Sequence, residues 1–338
     1  MPKVIAAFGE VMMRLQVPGY ALLSQSNALN YSFSGTGVNV LAALVRLGHP
    51  GYLISRLPLG PLGDAAVAEI RKLGISTELV LRGGEYLGMY FLEQGFGGRP
   101  SRVTYTNRLE SSFNRAPAKC YDYEQISKQA DVIHFCGITL AMNEEVRWHM
   151  KTLAQAVKSR GGLVIFDANY RPALWGEDGH HKAKPHYEEM LELADIVLMN
   201  EKDALFILDL KSVETKREDQ LADLMPRVAK QFHISVIAGT FRGINGDNSH
   251  SLQGFMWKNQ SLVFSPTLTF PVYDRIGAGD AFASGVIHGE LAGYSAEKIV
   301  QFAVTAGMLA HTIPGDSPTA TETDVIRAMA PVIVDIER

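Results

Sequence analysis

The stretch YDRIGAGDAFASG, residues 273–285, sets two glycines and two aspartates directly before a run of small apolar residues. The run from Ala281 to Ile287 reads as a buried helix, and Gly277, Ala278, Gly279 and Asp280 read as its entry. A helix start leaves backbone N–H groups without carbonyl partners and carries the positive end of the helix dipole. Glycines there let an anion come close to the backbone. Asp280 adds a carboxylate beside that cradle. A cradle with an adjacent base is what phosphoryl transfer to a hydroxyl requires, because donors hold the moving charge while the carboxylate takes the proton. The same four residues also read as a tight turn with Asp280 as a cap.

Working outward, the segments 132–136, 163–167, 196–199 and 234–238 are short and almost wholly apolar. Helical patterns near 143–160, 183–194 and 217–232 separate them. Continuously apolar strands alternating with helices predict a parallel sheet covered on both faces, with ligands gathering at the carboxyl ends of its strands. Residues 3–8 and 52–57 add two strands, and 35–48 a helix stopped by Gly48. Asp64 is read as capping a helix that runs to Leu73. Strands at 252–257 and 261–265 precede helices near 278–293, 295–311 and 321–331. Residues 11–34 and 86–106 have a different character, more mixed and alternating, and predict a small accessory sheet with an antiparallel pair at 86–106.

Composition narrows the function. With 46% hydrophobic and 20% charged residues over 338 positions, a sizeable core is expected, in one large α/β domain or two small ones. A net charge of −4 argues against a nucleic-acid binder or a membrane-surface binder, since both surfaces attract basic faces. The two cysteines, Cys120 and Cys136, form no CxxC pattern, which fits a reducing, cytoplasmic setting. No apolar run reaches the roughly 20 residues of a membrane span. There is no GxxxxGK[ST], and no GxGxxG follows a strand, so P-loop and dinucleotide readings lose support. His180 and His181 are placed in a solvated loop, and His134 and His288 are read as satisfied core or interface histidines.

DRIGAGDAFASG at 274–285 resembles the C-terminal signature of the ribokinase-like (PfkB) carbohydrate kinases. SGTGVNVLAALVRLG at 34–48 is similar to that family's N-terminal glycine motif, and LGPLGDAAVAEIRKLGI at 59–75 to the segment after it. Within the family, DRIG at 274–277, DANYRPALW at 167–175, HTIPGD at 311–316 and YTNR at 105–108 are most similar to 2-keto-3-deoxygluconate kinases. The resemblance covers nearly the whole chain. It implies one ribokinase-like domain over 1–338: a three-layer α/β/α fold with a mainly parallel central sheet and a small β-sheet lid from about 11–34 and 86–112. It implies ATP and Mg2+ as cofactors and a sugar acid as substrate. It also implies Asp280 as catalytic base and the backbone of Gly277, Ala278 and Gly279 as anion hole. A monovalent cation near Asp274 is left open. The resemblance further implies a homo-oligomer, a dimer through the lid or a larger assembly, since open sheet edges want covering.

The same resemblance places the remaining site residues. Gly35 and Asn39 would meet sugar hydroxyls, Gly35 by allowing close approach and Asn39 by offering donor and acceptor together. Tyr90 and Tyr105 would roof the pocket, and both equally read as strand packing. Arg171 follows a strand end and offers the fork that holds a carboxylate, with Asp167 as its orienting partner; Arg108 is a second candidate, with Asn107 the alternative if the alignment slips. The NEKD segment at 200–203 is similar to the family's NxxE, with Asn200 beside the nucleotide and Asp203 toward the magnesium, one methylene shorter than the family's glutamate. Asn200 also suits a plain helix cap. Gly239, Thr240 and Gly243 fall where the family carries its nucleotide-binding glycines, and 304–310 where a helix could wall the adenine pocket. Three other readings stay open: a fructokinase-like enzyme or one for a related keto-deoxy acid, a catalytically silent sugar sensor, and a nucleotide-dependent oxidoreductase.

Overall fold

The computed structural model describes residues 2–330. Its strands are β1 (Ile5–Phe8), β2 (Met12–Gln16), β3 (Asn30–Ser34), β4 (Gly51–Leu57), β5 (Val80–Arg82), β6 (Gly88–Glu93), β7 (Arg102–Thr106), β8 (Val132–Cys136), β9 (Leu163–Asp167), β10 (Ile196–Leu198), β11 (Val236–Ile244), β12 (His250–Lys258), β13 (Ser261–Phe264) and β14 (Leu268–Phe270). The helices are α1 (Thr36–Arg46), α2 (Pro61–Lys72), α3 (Tyr123–Gln129), α4 (Glu144–Ser159), α5 (Pro172–Trp175), α6 (Gly179–Leu193), α7 (Glu201–Phe206), α8 (Arg217–Phe232), α9 (Ala278–Leu291), α10 (Ala296–Ala310) and α11 (Glu322–Ala328).

One large sheet runs β13-β12-β11-β10-β9-β8-β1-β4-β5, with β14 on β12. It is parallel from β11 to β5 and turns antiparallel at β12 and β13. The strands alternate as their apolar pattern requires. Ile5 and Ala7 join the core under α1, α2, α9 and α10, whereas Ala6 and Phe8 join the core under α3, α4, α6 and α8. Helices on both faces make three layers. A second sheet, β3-β2-β6-β7, is the lid sheet; β2 pairs antiparallel with β3 but parallel with β6, and β6 antiparallel with β7.

Helix α9 explains its own composition. It is buried along most of its length, and its glycines mark close approaches. A Cβ at Gly285 would sit 2.6 Å from Ala303 Cα on α10, and one at Gly289 would sit 2.8 Å from the Ile299 side chain. The small residues therefore let two helices meet almost backbone to backbone.

Several expectations change. His180 and His181 lie in the first turn of α6 rather than a loop. The helix expected from Asp64 starts earlier: Gly60 precedes Pro61 at its first position, and Asp64 sits in the first turn, bonded to Arg82 at 2.7 Å. The helix expected at 321–331 is Glu322–Ala328, and residue 331 lies outside the described residues. His288 is satisfied by His49 and Glu322, but His134 is not satisfied. It is fully buried in the middle of β8, and neither ring nitrogen has a partner among the described residues. Burial pushes it down to about 4. It must fold neutral, so its contribution to stability is lost as pH falls from about 6.5 toward 4. His134→Leu is expected to raise the unfolding free energy by about 1–2 kcal/mol in urea titrations, since it removes two unpaired polar atoms at similar volume. A loss of stability on that change would mean the imidazole is satisfied after all.

Candidate active site

The carboxyl ends of β9 and β10, the middle of β11 and the start of α9 enclose a cleft of about 260 Å³. Asp167, Asn169 and Arg171 line it from the β9 end, Asn200 and Asp203 from the start of α7, and Gly239 and Thr240 from β11. Gly279 and Asp280 close it from α9. The crossing order of a parallel sheet puts these residues, up to 113 apart in sequence between Asp167 and Asp280, at one edge.

The two glycines before α9 do different jobs. Gly277 sits at φ 84° as N-cap, and a Cβ there would fall 1.9 Å from the Asp316 carbonyl oxygen. Its bare Cα is filled by this chain's own backbone. Gly279 has nothing within 4 Å of a built Cβ and faces open space in the cleft. Of the two, Gly279 leaves the helix start open, where the first-turn N–H groups lack carbonyl partners.

Asp280 is buried, and Asn39 Nδ2 donates to its Oδ2 at 2.7 Å. Burial pushes Asp280 up to about 7, against the opposing pull of the Asn39 hydrogen bond and of Arg171. Burial and then the charge of Asp280 push Asp167 up to about 7 as well, with Arg171 opposing. Asp203 is raised to about 6, chiefly by burial, although the Asn200 N–H bonded to it pulls the other way. Three carboxyls in one cleft thus hold their protons more readily than free aspartates, and a bound cation would release them.

Arg171 precedes α5, is exposed, and among the described residues bonds only its neighbour's carbonyl, Tyr170 O, at 3.3 Å. No carboxylate lies within ion-pairing distance of it among the described residues, so Asp167 feels its charge without orienting it. A free guanidinium at the cleft, facing three carboxyls that cannot all be ionised cheaply, is a ready partner for an anionic substrate.

The NEKD segment does what a helix cap does. Asn200 Oδ1 accepts the Lys202 N–H, and Asp203 Oδ2 accepts the Asn200 N–H, each at 2.8 Å. One Asp203 oxygen remains for a ligand. Among the described residues no group of three or more His, Cys, Asp or Glu is set to hold a metal. Asp203 and Asp167 are nonetheless hard oxygen donors lining the cleft, and they fit a magnesium ion that keeps most of its shell as water and phosphate.

Other expected residues lie apart from this cleft. Gly35 is the N-cap of α1 and packs on Glu10, whose carbonyl oxygen would be 2.1 Å from an added Cβ. Tyr90 is buried, with its hydroxyl donating to Asp316 Oδ2 at 2.5 Å and lying 3.1 Å from Ser34 Oγ. Tyr105 is exposed on β7, under the Arg108 guanidinium, 5.0 Å from the ring centre. Arg108 is buried and donates through Nε to Glu10 Oε2 at 2.9 Å, while its Nη1 has no partner among the described residues. Gly239 lines the cleft, but its missing Cβ makes room for Met199 O and the Phe255 ring. Gly243 is exposed farther along β11 and is not part of the lining. In α10, residues 304–307 are buried in the core.

Sequence reasoning missed Glu10, Arg14, Asp274 as a structural carboxylate, and Asp316. Glu10 is buried and raised by that burial, against the pull of Arg108, and accepts from Ser111 and Asn114 as well. Arg14 is a single arginine in an alternating strand and carried no signal. Asp316 stood inside the HTIPGD stretch without a role.

The model of the pfkB family carbohydrate kinases matches residues 3–323, and the chain belongs to that family. A curated relative, the 2-dehydro-3-deoxygalactonokinase of Haloferax volcanii, is 26% identical over 96% of both chains. A solved structure of the 2-dehydro-3-deoxygluconokinase of Thermotoga maritima is 31% identical, covers 97% of this chain and 98% of its own, and superposes with a TM-score of 0.92. A structure of a candidate 2-keto-3-deoxygluconate kinase from Enterococcus faecalis is 38% identical over 99% of both chains, with a TM-score of 0.95. The three-layer fold with its small second sheet is that of the ribokinase-like kinases. No helix among the described residues is long and apolar enough to cross a membrane.

Proposed function

We propose that this protein phosphorylates the terminal hydroxyl of a 2-keto-3-deoxy sugar acid, 2-keto-3-deoxygluconate to its 6-phosphate, using ATP. The observation that carries this reading is the joint presence in one cleft of a buried carboxylate at an open helix start, Asp280 beside Gly279, and an unpaired guanidinium, Arg171. The names of the relatives support the sugar-acid class.

ATP when bound supplies the phosphoryl group, and magnesium offsets its charge. The chain's own residues do the rest. Asp280 accepts the proton of the attacking hydroxyl, held in place by the Asn39 amide. The first-turn N–H groups at Ala278, Gly279 and Asp280 stabilise the negative charge near them. Arg171 orients the substrate carboxylate, and Asp203 with Asp167 takes the cation side of the cleft. The lid sheet keeps water from the reacting atoms.

The test is ATP consumption with magnesium on a panel of 2-keto-3-deoxygluconate, 2-keto-3-deoxygalactonate, fructose, ribose and no sugar. The keto-deoxy acids should exceed fructose in kcat/KM by roughly 100-fold, the worth of a charge-assisted hydrogen-bonded pair. Preference for a neutral sugar would overturn the substrate and keep the kinase. Silence on this and a wider panel would favour a sugar sensor.

A further inference from the structure

The lid sheet is joined to the turn before α9 by a buried ionic cluster. Arg14 on β2 is almost wholly inaccessible to solvent. Its guanidinium pairs with Asp274 at 3.1 Å and, through its other terminal nitrogen, closely with Asp316. Each aspartate holds one side of Gly277. Asp274 Oδ1 accepts the N–H groups of Arg275 and Ile276 at 2.7 and 3.2 Å, and its Oδ2 accepts that of Gly315 at 3.3 Å. Asp316 lays its carbonyl against the bare Cα of Gly277.

A second lid strand repeats the contact. Tyr90 on β6 is the register partner of Arg14, and its hydroxyl reaches the same Asp316 carboxylate. Ser34 on β3 lies beside that hydroxyl. Met12, Tyr90 and Leu92 then pack against the half-buried Ile276, the residue before Gly277. Two lid strands, β2 and β6, thus meet one turn, with Ser34 of β3 behind the Tyr90 hydroxyl, and the turn sets where Gly279 and Asp280 stand.

Two buried carboxylates cannot stay close together without a counter-charge, and Arg14 is the cation that meets both. A planar fork can bridge two carboxylates in fixed directions, whereas a lysine ammonium acts as a single point. We infer that Arg14 is a positioning residue: by bridging Asp274 and Asp316 from the lid sheet, it fixes the turn at 274–279 and thereby the geometry of the Asp280 helix start. Arg14 touches neither reacting group; it acts through the two aspartates.

Arg14→Lys in the full chain tests this with two measurements. The first is amide hydrogen exchange of the peptide covering 274–280, with the α8 peptide at 217–232 as internal reference. Exchange at 274–280 should rise at least about fivefold while α8 stays unchanged, since only the local support is loosened. The second is kinetics on whichever sugar the wild type uses best: kcat should fall at least about tenfold, with the sugar KM within about threefold of wild type. Only this kinetic readout rests on the kinase reading. Should the wild type prove inactive on every sugar, that reading fails and the exchange measurement still decides the role of Arg14. Equal loosening of both peptides, or a kcat within twofold of wild type, would reduce Arg14 to a general stabiliser. If Arg14→Lys does not fold, Tyr90→Phe removes the second lid contact and leaves the ion pairs in place. It should give the same pattern to a smaller extent, and unchanged exchange at 274–280 would overturn the proposal.

Discussion

Asp280→Asn should lower kcat by about 10²–10⁴-fold, the usual worth of a positioned general base, while leaving the fold intact. The amide is nearly isosteric and keeps a partner in Asn39. Two further readouts make the result specific. Because burial lifts Asp280 to about 7, wild-type kcat/KM should rise with pH up to about 7 and level off above it. Asp280→Asn should lose that limb. Stability should move the other way. A folded carboxyl raised above its unfolded value favours the fold fully below the unfolded value near 3.8, and that advantage is lost as pH rises through about 7. At pH 8 the ionised Asp280 therefore weighs against the fold, and Asp280→Asn should be more stable by about 1–3 kcal/mol. An inactive but stabilised variant would separate chemistry from folding. Turnover within a few-fold of wild type would remove Asp280 from the role of base.

Arg171→Met should lower kcat/KM for the keto-deoxy acid by about 10²–10³-fold and leave a neutral sugar nearly untouched, since only the acid has a carboxylate to lose. The same change should move the acid limb of the pH profile upward. Arg171 is the charge that lowers Asp280 and also Asp167 and Asp203, so its removal leaves all three holding protons to higher pH. Equal losses on acid and neutral sugars would show that the guanidinium meets something common to both reactions, and the carboxylate assignment would fall. Arg108 would then inherit the question, because its Nη1 has no partner among the described residues.

Much of the architecture could be read from local pattern. Apolar runs such as 132–136 and 163–167 became β8 and β9 at the stated bounds, because strands buried on both faces leave an unbroken apolar signature. The lid strands stood out through alternation. The GAGD entry to α9 was legible because a helix start with glycines has few other uses. Local pattern failed where a neighbour distant in sequence decides the outcome. Gly277 looked like room for a ligand and is room for the Asp316 carbonyl. His134 looked like any core residue, and only the tertiary surroundings show that nothing meets its nitrogens. Arg14 carried no mark of its role, since its partners lie 260 and 302 positions away. No window of sequence holds both ends of such a pair. Asp64 and the two histidines at 180–181 were misplaced for the opposite reason: the cap and loop signals there were short, and proline at 61 and the rest of α6 outweighed them.

The Arg14 pairs also bear on how the molecule comes into being. A ribosome adds about 5–20 residues per second, so Arg14 emerges some 15–60 s before Asp316 can reach it. β1, beside it in sequence, likewise stands in the sheet between β4 and β8 and waits for residue 132 to complete its pairing. During that interval the nascent lid carries an uncompensated cation and an open edge. Asp280 and the glycine turn before it join the cleft only when the last sixth or so of the chain arrives, so on the proposed reading an unfinished chain has no centre with which to spend ATP.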